Sequence, residues 1–144
     1  MKQNLKKFST YLSIKTQELP NKQPKFVVTL NGVEQEPYGK ENDCVMFNML
    51  SIFGNNQLTI DFLNKKADDT KIDDNGNIIN DLNLELYKFS VEDYNLTDKI
   101  KQQVKYFTCD NQFEETFGFM HKNGQLIVEF QCPIFYFLRD HIQR

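Results

Sequence analysis

Tryptophan is absent from this chain of 144 residues, and cysteine and histidine are scarce. The three cysteines are widely spaced and form no CxxC pair, which argues against a zinc knuckle, a redox pair or a disulfide framework. The two histidines, His121 and His141, lie outside any HExxH, GxSxG or Cys–His motif. A glycine-rich phosphate loop is also missing, which argues against nucleotide binding. The sequence therefore predicts that the protein is not an enzyme.

Charge of one sign and long apolar runs are lacking as well. The formal net charge is -3, and lysines are interspersed with acidic residues, so no basic stripe indicates a nucleic-acid partner. No apolar run approaches the roughly 20 residues that a membrane helix needs, and the N-terminus has no signal-peptide apolar core. We therefore expect a soluble protein without a nucleic-acid or membrane partner, made in a reducing cytoplasm.

The chain is rich in phenylalanine, with 13 residues, and has six tyrosines. Its length suits one domain with an aromatic core. Several segments alternate apolar with polar side chains, as strands with one buried face do. The apolar members of these segments are Phe26, Val28, Leu30, Leu58, Ile60, Phe62, Leu82, Leu84, Leu86, Leu126, Val128 and Phe130. Asn31-Gly32 and Asn123-Gly124 predict hairpin turns between neighbouring strands.

Four other segments give less regular patterns. The run from Cys44 to Phe53 is apolar on both faces, which favours a strand covered on both sides over the alternative of a helix. Leu96, Ile100 and Val104 have helical spacing, and Thr97 is available as N-cap. Loss of register at residues 88–91 indicates a bulge or a strand end. Residues 133–144 form either a last strand or a short helix opened by a proline.

Together these patterns predict an all-β fold, an antiparallel β-sandwich of jelly-roll-like topology with at most one or two short helices. The sandwich is expected to span residues 25–144. Residues 1–24 are polar, with a small apolar knot at Tyr11, Leu12 and Ile14. They are predicted to form an N-terminal arm or an edge strand.

An acidic loop joins the strand ending at Phe62 to the strand beginning at Leu82. Its carboxylates supply oxygen ligands of the kind that calcium takes. The candidate metal ligands are Asp68, Asp69, Asp73 and Asp81. The loop does not fit an EF-hand, because placing Gly76 at the sixth position puts Lys71 at the first and Leu82 at the twelfth. The alternative is that residues 74–77 simply form a turn and that the acidic residues keep a protruding loop soluble.

Some tyrosines offer a second kind of site. Aromatic rings can stack on sugars, although aromatic residues in strands more commonly belong to the core. The candidates for sugar stacking are Tyr87, Tyr94, Tyr106 and Tyr136.

The segments LTIDFLN (residues 58–64) and NDLNLELYKFSVEDYNL (residues 80–96) flank the acidic loop. In this layout the chain resembles the small β-sandwich carbohydrate-binding modules that use calcium. The resemblance implies calcium as a cofactor and a glycan as a partner. No cofactor other than calcium is indicated by the sequence.

A second set of segments is Leu30-Asn31-Gly32, Phe62 to Thr70 and Gly118 to Gly124. In these the chain resembles virion-associated sandwich proteins of tailed bacteriophages, and its Lys-, Asn- and Phe-rich composition suits an AT-rich genome. The resemblance implies a structural protein of the virion, such as a capsid decoration or auxiliary protein. It would assemble in the host cytoplasm, in many copies, with other virion structural proteins. The predicted docking residues are Tyr11, Leu12, Ile14, Phe135 and Tyr136.

Overall fold

The structure, a computed structural model, describes residues 6–110, 112–114 and 116–134. Its strands, in chain order, are β1 Lys7–Gln17, β2 Phe26–Leu30, β3 Val33–Gln35, β4 Gly39–Glu41, β5 Cys44–Ile52, β6 Gly54–Phe62, β7 Lys71–Ile72, β8 Ile78–Asn80, β9 Asn83–Val91, β10 Tyr94–Asn95, β11 Lys105–Thr108, β12 Phe113–Glu114, β13 Phe119–Met120 and β14 Gly124–Cys132. Within the described residues they are accompanied by the helix α1 (Thr97–Lys101) and a 3₁₀ turn (Ala67–Asp69). No helix in these ranges is long and apolar enough to cross a membrane.

Two antiparallel sheets pack face to face, which confirms the predicted all-β sandwich. The first sheet has the order β10-β9-β1-β5-β4, with β13 also paired to β9, and the second has the order β12-β11-β14-β6-β2-β3. Their inner faces share one hydrophobic core. Phe89 of the first sheet meets Phe130 of the second edge-on, with 5.1 Å between ring centroids. Strands β7 and β8 form a separate two-stranded sheet.

The alternating segments bury the faces that the sequence predicts. Leu58, Ile60 and Phe62 of β6 are at most 1 % exposed, and the same holds for the leucines of β9. On β14, Leu126, Val128 and Phe130 also point into the core. Burial of these side chains is the main stabilising contribution, at about 1.5–3 kcal/mol for each fully buried aliphatic or phenylalanine side chain.

The N-terminal segment departs from its prediction. Strand β1 is not an arm or an edge strand, because it lies inside the first sheet and pairs with β5 on one side and β9 on the other. Two of its inward-facing residues, Thr10 and Thr16, are polar, so the alternation of apolar and polar side chains is less regular than in the other strands. Thr10 is tolerated in the core because its hydroxyl lies 2.5 Å from that of Ser51 on β5. Leu12 and Ile14 are fully buried.

Strand β5 is a strand, so the helical alternative for this segment is wrong. Coverage on both faces is also wrong. Phe47, Met49 and Ser51 point into the core, whereas Asn48 and Leu50 point outward and are exposed. The outward apolar side chains therefore cover the outer face of the sheet and do not fill a second core.

The two Asn-Gly pairs have different roles. Asn31 and Gly32 have φ values of 52° and 82° and form the predicted hairpin turn between β2 and β3. The second predicted hairpin is wrong, because the chain crosses from β13 in the first sheet to β14 in the second. A Cβ on Gly124 would lie 2.3 Å from the carbonyl oxygen of Phe107. Gly124 is therefore a site of close strand approach and not a turn residue.

The short helix and the bulge are close to their predicted places. Leu96, Ile100 and Val104 are buried, as the helical spacing predicts. Leu96, not Thr97, occupies the N-cap position, and the Thr97 hydroxyl instead accepts a hydrogen bond from the Phe89 N–H. The bulge leaves Tyr87 unpaired opposite β1, one residue before the predicted range. The predicted terminal element, residues 133–144, lies almost wholly outside the described residues.

Candidate functional site

The acidic loop folds as a 3₁₀ turn followed by the β7–β8 hairpin. At its base, the Asp81 carboxylate accepts hydrogen bonds at Oδ1 from Lys65 Nζ (2.5 Å), Thr70 Oγ1 (2.8 Å) and the Leu82 N–H (2.8 Å). Burial acts to raise the pKa of Asp81, but these hydrogen bonds outweigh it and hold the pKa below its ordinary value. Asp81 therefore anchors the return of the loop into β9.

A second lysine neutralises Asp69. Lys22 Nζ lies 2.6 Å from Asp69 Oδ2, which also accepts a hydrogen bond from the Lys66 N–H. The hydrogen bond from Lys22 lowers the pKa of Asp69 against the opposing effect of burial. This pair ties the 3₁₀ turn to the segment between β1 and β2.

Asp73 shapes the tip of the hairpin. Its Oδ1 accepts hydrogen bonds from the backbone N–H groups of Asn75 and Asn77, each at 2.9 Å. This side-chain turn is the turn chemistry that the sequence offered as the alternative to a metal site. Asp68 is exposed on the 3₁₀ turn.

Asp69, Asp73 and Asp81 therefore have separate structural roles, Asp68 is exposed, and the structure does not bring the four predicted calcium ligands together. Among the described residues, no group of three or more His, Cys, Asp or Glu side chains has a geometry that could hold a metal ion. The side-chain amino groups that occupy Asp69 and Asp81 are cations, which take the place that a metal ion would need.

The predicted docking residues also fall in different places. Leu12 and Ile14 are fully buried, so their assignment to docking is wrong. Tyr11, on the same strand, points outward and is half-buried. Phe135 and Tyr136 lie outside the described residues.

The β7–β8 hairpin carries an exposed apolar cluster that the sequence analysis does not identify. Ile72, Ile78 and Ile79 are 60 %, 61 % and 60 % exposed. Ile72 and Ile78 lie directly opposite each other across the hairpin. The sequence signal for it is the pair Ile78-Ile79 directly after the Asp73–Asn77 turn, in a predominantly polar segment.

A second feature is the open edge of β5. Strand β4 pairs only with residues 44–46 of β5. At the other end of β5, the Ile52 N–H donates a hydrogen bond to Asn56 Oδ1 and the Ile52 carbonyl accepts one from Asn56 Nδ2, each at 2.9 Å. Backbone groups alternate in direction along an antiparallel strand. The Met46 carbonyl accepts a hydrogen bond on the β4 side of the strand. The N–H and C=O groups of Asn48 and Leu50, two and four residues further on, therefore also point to that side. No described strand pairs with them there.

The outer face of the first sheet is a third feature. Tyr11, Ser13 and Lys15 of β1 run along its centre, and the bulge in β9 turns both Tyr87 and Lys88 toward the same face. Lys88 Nζ lies 5.9 Å from the ring centroid of Tyr11. Lys15 Nζ lies 5.8 Å from that of Tyr87. These contacts arrange two tyrosines and two lysines along one groove.

The other candidate sugar-stacking tyrosines are less suited to that role. Tyr106 is fully buried and donates its hydroxyl hydrogen to the Lys122 carbonyl. Burial raises the pKa of Tyr106 to about 12. Tyr94 is exposed on the short strand β10, and Tyr136 lies outside the described residues.

Three surface features therefore stand out: the isoleucine hairpin, the open edge of β5 and the tyrosine groove. Comparisons with models of protein families, with curated proteins and with solved structures find no match to this chain.

Proposed function

We propose that this protein is a non-catalytic structural component of a bacteriophage virion that docks on a neighbouring virion subunit through its β7–β8 hairpin. The observation that carries the docking part is the exposure of Ile72, Ile78 and Ile79 on a hairpin that pairs with neither sheet. The virion part is supported by the resemblance at residues 30–32 and 62–70 and by the β-sandwich.

An isolated two-stranded hairpin is marginally stable in water, and its stability rises when its side chains are covered. All three isoleucines of this hairpin are exposed, so the free protein gains little from them. Full burial of an isoleucine side chain stabilises by about 1.5–3 kcal/mol. A partner that covers Ile72 and Ile78 together would gain several kcal/mol before the costs of association.

The charges around the isoleucines indicate the chemistry of the partner surface. Asp73 and Asp74 lie in the turn between Ile72 and Ile78, and Lys71 precedes Ile72, so the acidic charge is in excess around the isoleucines. Charge complementarity therefore favours an apolar cleft rimmed by lysine or arginine. The open edge of β5 offers a second contact, in which a partner strand would bind the backbone groups of Asn48 and Leu50. Many copies on one particle would add avidity.

Calcium-dependent sugar binding, the other function that the sequence suggested, gains no support from the loop. Lys22 and Lys65 occupy the carboxylates of Asp69 and Asp81. A calcium ion would have to displace both lysines from partly or largely buried positions.

The virion role is tested on particles of the phage that encodes the chain. Quantitative mass spectrometry of gradient-purified particles is expected to find the protein in many copies per particle. Its absence from purified particles would overturn the virion role.

The docking role is tested on particles that lack the protein. Purified protein is added back and its binding is measured by co-sedimentation. The double variant Ile72→Thr/Ile78→Thr keeps β-branched residues and is expected to bind at least about tenfold more weakly. The control is Val33→Thr, because Val33 is 62 % exposed on the β2–β3 hairpin. Equal binding by the double variant and the control would overturn docking through the hairpin and leave the virion role standing.

A further inference from the structure

We infer that the outer face of the first sheet binds a neutral oligosaccharide, in the groove that Tyr11 and Tyr87 form over Ser13. This inference is independent of the virion role, and it uses neither calcium nor the acidic loop.

The strand register builds the groove. On the outer face Tyr11 lies between Asn48 of β5 and Ser90 of β9, and Ser13 lies between Met46 and Lys88. Ser13 is only 3 % exposed although it points away from the core. The larger side chains around it therefore stand above it, and Ser13 forms the floor of a hollow.

Two adjoining hollows make up the groove. One has a volume of about 560 Å³ and includes Asn48, Ser90 and Asp93 among its lining residues. The other has a volume of about 340 Å³ and includes Ser13 and Tyr87. Tyr11 and Lys88 line both. Each volume lies within the range of small-ligand sites, roughly 300–1,000 Å³, so a chain of several sugar rings would occupy the two together.

The bulge in β9 is what puts Tyr87 beside the groove. Without the extra residue, the alternation of the strand would turn either Tyr87 or Lys88 into the core. Bulges re-aim side chains in this way next to binding sites. The ammonium groups of Lys15 and Lys88 lie over the two tyrosine rings, at 5.8 Å and 5.9 Å from the ring centroids, and each contact favours the observed ring position by about 0.5–1 kcal/mol.

A third tyrosine, Tyr38, lies near the edge of the groove, beside the Met46 side chain that lines it. Tyr38 is 56 % exposed, and its hydroxyl lies 3.7 Å from the sulfur of Met46. Desolvation, and then the phenol of Tyr11, raise the pKa of Tyr38. Met46 is the neighbour of Ser13 across the sheet, so Tyr38 stands on the side of the hollow toward β4.

These side chains match the chemistry of a sugar. The C–H face of a pyranose ring is apolar and packs on an aromatic ring, while its hydroxyls need donors and acceptors. Asn48, Ser90 and Asp93 supply both kinds of group beside Tyr11. A few polar groups on a largely preformed aromatic wall are the usual composition of a small-ligand site.

The charges favour a neutral sugar over an acidic one. Lys15 and Lys88 carry positive charge in the groove, but Glu41, Asp43 and Asp93 line the same two hollows. Two cations against three carboxylates give no net attraction for a polyanion. The same carboxylates accept hydrogen bonds from sugar hydroxyls.

The test is a two-dimensional NMR titration of the ¹⁵N-labelled full chain with soluble hexasaccharides. The probes are the β-1,4-linked hexamers of glucose, xylose, mannose and N-acetylglucosamine, with the hexamer of galacturonic acid as the charged comparison. At least one neutral probe is expected to shift the amides of Tyr11, Ser13, Asn48 and Lys88, with a Kd of about 0.1–1 mM.

Variants locate the binding. Tyr11→Ala and Tyr87→Ala are each expected to weaken binding at least tenfold. Tyr94→Ala is the matched control, because Tyr94 is 59 % and Tyr87 51 % exposed, and it should bind as the parent does. Ile78→Thr on the hairpin should also leave sugar binding unchanged, which separates this inference from the proposed docking role.

Three results would overturn the inference. The first is that no neutral probe gives saturable shifts up to about 10 mM. The second is tighter, salt-sensitive binding of the galacturonic acid hexamer, which would indicate an anion site. The third is equal binding by the Tyr87→Ala and Tyr94→Ala variants, or shifts confined to other surfaces.

Discussion

Lys65 and Asp81 form an ion pair with 2.5 Å between Nζ and Oδ1, and only 8 % and 11 % of their side chains are exposed. The pair joins the two ends of the acidic loop, since Lys65 follows β6 and Asp81 precedes β9. Lys65 Nζ also donates a hydrogen bond to the Leu82 carbonyl at 2.7 Å. The loop therefore departs from and returns to the sandwich at one fixed point, from which the isoleucine hairpin projects.

Breaking this pair is expected to destabilise the protein strongly. Lys65→Met leaves the Asp81 carboxylate largely buried without its cation, which costs about 3 kcal/mol or more of unfolding free energy. The control is Lys40→Met, which breaks the Lys40–Glu18 pair at the same 2.5 Å distance but with side chains 43 % and 34 % exposed. That loss should stay below about 1 kcal/mol. Urea denaturation measures both, and equal losses would show that burial does not strengthen the Lys65–Asp81 pair.

Acid is expected to weaken the fold through the same carboxylates. The pKa values of Asp69 and Asp81 lie below the ordinary value of 3.8 in the folded protein. A lowered folded-state pKa contributes stability that is fully present above the unfolded-state pKa and is lost as the pH falls through the folded-state pKa. The unfolding free energy, from urea melts across a pH series, should therefore fall as the pH drops below about 4.

The variant Asp81→Asn tests how much of this loss of stability in acid comes from Asp81. Asp81→Asn removes one of the two titrating groups, so its unfolding free energy should be lower at neutral pH and should fall less steeply in acid. A slope identical to that of the parent would mean that other carboxylates carry the acid response.

Calcium is expected to leave the thermal stability unchanged. A metal ion that binds only the folded protein raises its Tm by mass action, but Lys22 and Lys65 already occupy Asp69 and Asp81. Thermal melts with calcium and with chelator should agree within about 1 °C. If calcium raised the Tm by several degrees and the Asp81→Asn substitution abolished that rise, calcium would displace Lys65 from Asp81. The acidic loop would then be a metal site.

The core of the sandwich could be predicted because local alternation decides it. Leu58, Ile60 and Phe62 must share a face of any strand, and that face must be buried. Strand β1 could not be recognised as a central strand in the same way. Two of its inward positions are threonines, and one of these is satisfied by a serine 41 residues away in the chain. That partner becomes visible only when the strands are paired.

The candidate sites were harder to predict for the same reason. The sequence shows the carboxylates of the acidic loop but not their cations, and Lys22 lies 47 residues from Asp69. The sequence does indicate Tyr87 as a candidate for sugar stacking. Its position beside Tyr11 depends on the pairing of β1 with β9 and on the bulge, which periodicity alone does not fix.

Gly124 is expected to be the glycine that tolerates a side chain least. A Cβ there would lie 2.3 Å from the Phe107 carbonyl oxygen and 2.8 Å from the Thr108 Cα, both backbone atoms of the paired strand β11. Because backbone cannot rotate away, Gly124→Ala must push β11 off β14 and should cost more than about 3 kcal/mol of unfolding free energy. Gly76→Ala is the comparison, since its φ is +83° in open space, and strain alone costs about 1–2 kcal/mol. Urea denaturation of the two variants distinguishes the causes. Equal losses would mean that β11 moves aside at little cost, so that its close approach to β14 does not select glycine at position 124.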